Sequence, residues 1–315
     1  MWPSFRRRSS SPASSRAAAA LVRQAALLAL SALIAACELR PARGAAGVAA
    51  SDEVETVEAL PLRVPTDAEM PQGDLGTSVR RGRALFLAAR DSFPWELSQT
   101  RLRCQSCHLD DGMRAGAMPL VGVYARFPQY RSRSGAVLRL EDRINNCFTR
   151  SMNGRPLDPS STAMRDMVAW LSWISRGYPV GSAVRGQGLA RLEPRVPDPA
   201  RGAGVYAASC ARCHGAEGRG AAAPPLWGDG SYNVGASMAQ LHAAAAFVRH
   251  NMPHDRPGTL NDQDAYDVAA FMNSHARPDF ADKAHDWPKG DAPADAPYRT
   301  HAADRLTRAD PSAIH

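Results

Sequence analysis

The chain of 315 residues is almost without lysine: 36 of its 38 basic residues are arginine, and the two lysines are Lys283 and Lys289. It has no acidic residue before Glu38. Nor does it contain an apolar run near the roughly 20 residues that a spanning helix requires, which excludes a polytopic membrane domain. The 44% hydrophobic and 22% charged composition excludes collagen, coiled coil and full disorder. A formal net charge of +7 would suggest nucleic acid, but Arg6, Arg7, Arg8, Arg16 and Arg23 all lie before residue 37. Without residues 1–36, 33 bases face 31 acids, and a nucleic-acid function loses its electrostatic support.

What is present begins with an arginine-rich stretch and the apolar run Ala25–Ala36, bounded by Cys37. That is the pattern of a signal peptide over residues 1–36 and predicts an exported, periplasmic protein. Ile34-Ala-Ala-Cys37 also matches a bacterial lipobox, in which Cys37 is acylated and becomes the membrane anchor; the alternative is a leader cleaved further on. Residues 37–73, rich in Ala, Pro and acids, read as a flexible tether, with folding expected to start near Leu75.

From there the chain repeats itself once. Arg81-Gly-Arg-Ala-Leu-Phe-Leu-Ala-Ala89 matches Arg201-Gly-Ala-Gly-Val-Tyr-Ala-Ala-Ser209, each a short amphipathic helix leading to a Cys-x-x-Cys-His. Each copy closes with a further helix, Ser161–Arg176 and Asn261–His275, capped by Ser161 or Thr162 and by Asn261. The reading is two helical domains, 74–177 and 201–280, joined by a Pro- and Gly-rich linker 178–200 and followed by a tail 281–315 that wraps over the surface. Domains of about 80 to 100 residues bury little apolar surface unaided, so something else must complete each core.

Cys104-Gln-Ser-Cys107-His108 and Cys210-Ala-Arg-Cys213-His214 supply it. Cys-x-x-Cys-His is the haem c attachment pattern: two sulfurs form thioethers with the vinyl groups and the adjacent histidine reaches the iron. Zinc or disulfides would leave both histidines unexplained. Two covalent haem c groups, one per domain, make the fold all-α, two cytochrome c type domains in tandem. Met252, 38 residues after His214 and followed by Pro253, is the expected sixth ligand of haem 2, with His250 and His254 as alternatives.

The same count in the first domain lands on a different atom. Cys147 lies 39 residues after His108 and is the one cysteine left without a haem or a leader to account for it. Leu140–Met152 reads as one helix that places Arg143, Cys147 and Ser151 on a single face, a cation and a hydroxyl flanking a thiol. Residues 101–160 hold ten arginines against five acids, whereas 201–280 hold six against seven. The excess charge surrounds the first haem and favours an anionic ligand there.

Arg131-Ser-Arg-Ser-Gly135 and Glu141-Asp-Arg-Ile-Asn-Asn-Cys-Phe-Thr-Arg-Ser-Met-Asn-Gly154, with the closing Asp286-Trp-Pro and Asp295-Ala-Pro-Tyr298, resemble the dihaem thiosulfate dehydrogenase family of periplasmic cytochromes c. The resemblance runs from about residue 74 to 298. It implies His108 and Cys147 as ligands of haem 1, His214 and Met252 as ligands of haem 2, and Arg133, Arg143 and Ser151 as lining of the substrate pocket. Where some members carry a lysine before the methionine, this chain has Asn251. The implied reaction joins two thiosulfates into tetrathionate, with Cys147 as a reactive thiol. Two electrons enter at haem 1 and leave through haem 2 to a small redox carrier such as a cytochrome c. The alternatives are a non-catalytic electron shuttle and a cytochrome subunit of the multi-enzyme sulfur-oxidising system.

Overall fold

The repeated Arg-Gly pair explains how each domain closes. In the computed structural model, which describes residues 58–309, helix α1 (Gly73–Leu87) presents Arg81 and Gly82 to the helix that ends the first domain. A Cβ on Gly82 would stand 1.9 Å from the Asp166 carbonyl, so only glycine permits this approach. Arg81 Nε then donates to the buried Asp166 at 2.8 Å. The second domain repeats the device: a Cβ on Gly202 would meet the Asp267 carbonyl at 2.1 Å, and Arg201 Nε reaches the Asp267 carboxylate at 2.6 Å.

The remaining elements follow in chain order. A hairpin pairs β1 (Gln129–Arg131) with β2 (Ala136–Leu138), antiparallel with Tyr130 opposite Val137. Helix α2 (Leu140–Asn146) runs into a π-helical turn, Cys147–Ser151, and α3 (Thr162–Ile174) closes the first domain. The second has α4 (Pro199–Ser209), α5 (Leu241–Asn251) and α6 (Asp262–Asn273), and α7 (His301–Ala309) follows. Caps form as expected: Ser161 Oγ accepts from Met164 N at 3.1 Å, and Asn261 Oδ1 from Asp264 N at 2.8 Å.

The fold is all-α apart from the two short strands, which use the basic segment 131–135 as their turn. Gly135, at φ +61°, reverses the chain there. One apolar core gathers Phe86, Phe148, Met164, Trp170 and Ile174 and continues into Phe247 and Tyr266 of the second domain. A smaller one holds Tyr206, Trp227, Val268 and Met272.

Three segments read as connectors are packed structure. In the tether, Leu60 N donates to Ala183 O and Leu60 O accepts from Arg185 N, while Arg83 reaches back to Asp67. The described residues before Gly73 are therefore held by the linker and by α1. The linker is held in turn, since its carbonyls at Gly186 and Gly188 accept from Gly116 and Met118. In the tail, Trp287 and Asp286 are buried, and Trp287 N donates to Arg133 O at 2.8 Å. Each extended segment finds backbone partners far along the chain, which local composition cannot report. No helix among the described residues is long and apolar enough to cross a membrane. The leader and Cys37 lie outside those residues.

Candidate functional site

Cys104, Cys107 and His108 line a cavity of about 1170 Å³ with apolar walls that include Phe86, Leu102, Phe127, Ile144, Phe148 and Trp170. Residues 187–195 of the linker form part of its wall. The imidazole is oriented: His108 Nδ1 lies 2.7 Å from Met118 O, so it donates there and leaves Nε2 for the cavity. His214 repeats the arrangement, with Nδ1 2.7 Å from Pro224 O. Burial pushes the Cys104 and Cys107 thiols up to about 12, and Cys210 to about 11, so as free thiols they are inert. The indole Nε1 of Trp170 is buried without a hydrogen-bond partner on this cavity wall. An apolar slot with two thiols and a poised imidazole suits a haem c.

Cys147 lines the same cavity. Enclosure raises its pKa, but the guanidinium of Arg143 and the ring of His108 outweigh this and draw it down to about 6. Arg143 Nη1 donates to Cys147 Sγ at 2.9 Å. The expected continuous helix is interrupted, since Met152 N donates to Cys147 O across five residues in the π turn. The turn nevertheless keeps Ser151 on the wall shared by Arg143 and Cys147.

Next to this cavity lies a polar pocket of about 440 Å³, whose lining includes Arg131, Arg133, Arg143, Arg150, Ser151 and Gln240. Arg131, Arg143, Ser151, Ser237, His242 and Pro293 line both spaces. The sequence-predicted Arg133, Arg143, Cys147 and Ser151 are thus brought together. Arg133 spends both terminal nitrogens on the protein, Nη1 on Gly235 O at 2.6 Å and Nη2 on Gln240 Oε1 at 2.9 Å, and stacks over Trp287 at 4.6 Å. Sequence reasoning missed Arg131 and Arg150, although both stand inside the quoted motifs. It also missed Trp287, inside the quoted Asp286-Trp-Pro, and Gln240 and His242, which carry no local signal.

In the second domain, Cys210 and Met252 pack against Tyr206, Trp227 and Val248. Of the alternatives to Met252, His254 is exposed, while His250 Nε2 is buried without a partner.

Residues 88–180 match the family described as SoxA/TsdA, cytochrome c domain, and residues 197–272 match that of the cbb3-type cytochrome c oxidase subunit III. A thiosulfate dehydrogenase of Allochromatium vinosum is 41% identical over 251 residues, covering 76% of this chain and 92% of the relative. One from Psychrobacter arcticus is 36% identical, covering 74% of each. The solved structure of thiosulfate dehydrogenase (TsdBA) from Marichromatium purpuratum, as isolated, superposes with a TM-score of 0.65 at 36% identity over 72% of this chain. This chain spans about half of that one, 51%. Two cytochrome c domains mean two covalently attached haem c groups. With an oriented histidine beside each Cys-x-x-Cys and relatives matched across both domains, the chain belongs to the thiosulfate dehydrogenase family of dihaem cytochromes c.

Proposed function

We propose that this protein is a periplasmic enzyme that couples two thiosulfates to tetrathionate and passes the two electrons to a small redox carrier such as a cytochrome c. Each haem, when bound, supplies one one-electron acceptor, so that two together take both electrons. Cys104, Cys107, His108 and Cys147 would hold the first and Cys210, Cys213, His214 and Met252 the second.

The observation that carries this reading is the 2.9 Å contact of Arg143 with Cys147 Sγ where the cavity meets the arginine pocket. Arg143 favours the thiolate, the form of cysteine that reacts. Thiosulfate is a dianion, and planar guanidinium groups offer its sulfonate oxygens paired donors. In the first step the Cys147 thiolate and the outer sulfur of one thiosulfate form an S–S bond, giving a cysteine S-thiosulfonate and releasing two electrons. In the second, another thiosulfate attacks the sulfur that this group brought, the bond to Cys147 breaks, and tetrathionate leaves with the thiolate restored. Ser151, which lines both spaces, would donate its hydroxyl to the bound anion, and Arg133 holds the hairpin that walls the pocket. The leader before Cys37 supports export, and acylation of Cys37 would be the membrane contact.

The deciding experiment is a steady-state assay of the purified dihaem protein with thiosulfate and an artificial one-electron acceptor, with tetrathionate measured as product. Stoichiometric tetrathionate is expected; no acceptor reduction beyond the thiosulfate-free control would leave the electron-shuttle function.

A further inference from the structure

The four arginines of the pocket are not equivalent. Arg150 is spent on Asp286, whose two carboxylate oxygens it meets at 2.7 Å each, and its guanidinium lies 4.1 Å from the Phe280 ring centre. Arg133 is spent on Gly235 O and Gln240 Oε1. By contrast, among the described residues the Arg143 side chain makes its one hydrogen bond with Cys147 Sγ, and the Arg131 side chain donates only to Gln129 Oε1, at 3.1 Å. Neither meets a carboxylate among the described residues, and the remaining guanidinium nitrogens of both are without acceptors there. These are also the two of the four that line the pocket and the Cys147 cavity together.

Arg131 is half-buried, and burial together with the charges of Arg143, Arg126 and Arg133 lowers its pKa. A cation held at that cost with donors unspent is a site that an anion completes. Asp291, the one carboxylate lining the pocket among the described residues, is exposed and pairs with none of the four. Two dianions that must meet repel each other, so one cation at Cys147 is not enough to hold both.

We propose that Arg131 is a substrate-binding residue that holds the second thiosulfate beside the one held by Arg143, and that Arg133 is a positioning residue that fixes the hairpin against Gly235 and Gln240. This rests on the thiosulfate reading above. The tests use the holoprotein, with thiosulfate kinetics and with sulfate as an unreactive dianion titrated by calorimetry. Arg131→Gln is expected to raise both the thiosulfate KM and the sulfate Kd about tenfold or more, the effect of one charge-assisted hydrogen bond. The haem 1 spectrum and potential should not move. Arg131→Lys should recover part of the affinity, since it restores the charge without the planar fork. The surface variant Arg155→Gln should leave both constants unchanged. Arg133→Gln should lower the melting temperature more than it weakens sulfate binding. Wild-type affinity in Arg131→Gln, or an affinity loss in Arg133→Gln equal to that of Arg131→Gln at unchanged melting temperature, would overturn the assignment. If sulfate binding depends on Arg131 while the wild type fails to oxidise thiosulfate, the anion site stands and the thiosulfate reading falls. If the wild type turns over and Arg131→Gln matches it, this inference alone falls.

Discussion

Asn251 Nδ2 donates to the carbonyl of Gly116 at 3.1 Å across 135 residues of chain. It thereby ties the residue before Met252 to the loop whose Met118 carbonyl orients His108. Asn251 is 1% exposed, and its amide also donates to Phe247 O at 3.2 Å. The two haem-binding regions are therefore joined by a buried side chain as well as by the linker.

Asn251→Leu keeps the volume and removes the donor. Leaving a carbonyl at that contact without its partner should cost about 1–3 kcal/mol of stability. Both haems should still attach, but electron exchange between them, followed by stopped-flow reduction with thiosulfate, should slow. Wild-type melting and wild-type kinetics together would show that the contact couples nothing.

Cys147 has two proposed roles that substitution separates. Cys147→Met should give a six-coordinate haem 1 with a raised potential, because a thioether replaces a thiolate, while Cys147→Gly should open the site. Both variants should load two haems and lose thiosulfate coupling. Mass spectrometry of the wild type with tetrathionate should find a sulfur adduct on the Cys147 peptide. Substantial activity in either variant would sink the nucleophile role.

Met252→Gly tests the second haem. Loss of a thioether ligand should lower the haem 2 potential and slow electron exit without altering thiosulfate chemistry at Cys147. An unchanged potential and visible spectrum would transfer the assignment to His250, whose buried Nε2 has no other partner.

The Arg-Gly repeat should matter for stability alone. Gly82→Ala and Gly202→Ala force a Cβ against a helix backbone and should each cost about 1–3 kcal/mol, read as a lower melting temperature. Asp166 and Asp267 add a pH dependence. Burial raises each pKa, but hydrogen bonds overcome it, chiefly from Arg81 at Asp166 and from Asp198 N at Asp267, and hold both carboxyls below the usual range. Their contribution is complete above the ordinary aspartate pKa and is lost as pH falls through the depressed folded values. Asp166→Asn should therefore melt lower at pH 7 and show a shallower loss of stability on acidification. A parallel acid profile would place the effect elsewhere.

The two haem attachment motifs, the helix caps and the Arg143–Cys147 pair were legible along the chain, because each depends on residues within a turn or two of one another, and the repeat was legible by matching residues 81–89 with 201–209. Cys147 could be singled out by elimination, and the basic character of its surroundings by counting. Tertiary structure alone decided which arginines are spent and which are free: Arg150 finds Asp286 at 136 residues' distance and Arg133 finds Gln240 at 107, whereas Arg131, two residues away, finds neither. It also made the linker and the tail into cavity wall, and bent the helix at Cys147 into a π turn. Periodicity encodes which neighbours share a face, but the partner that satisfies a buried donor is chosen by how distant segments pack, and no local pattern records that choice.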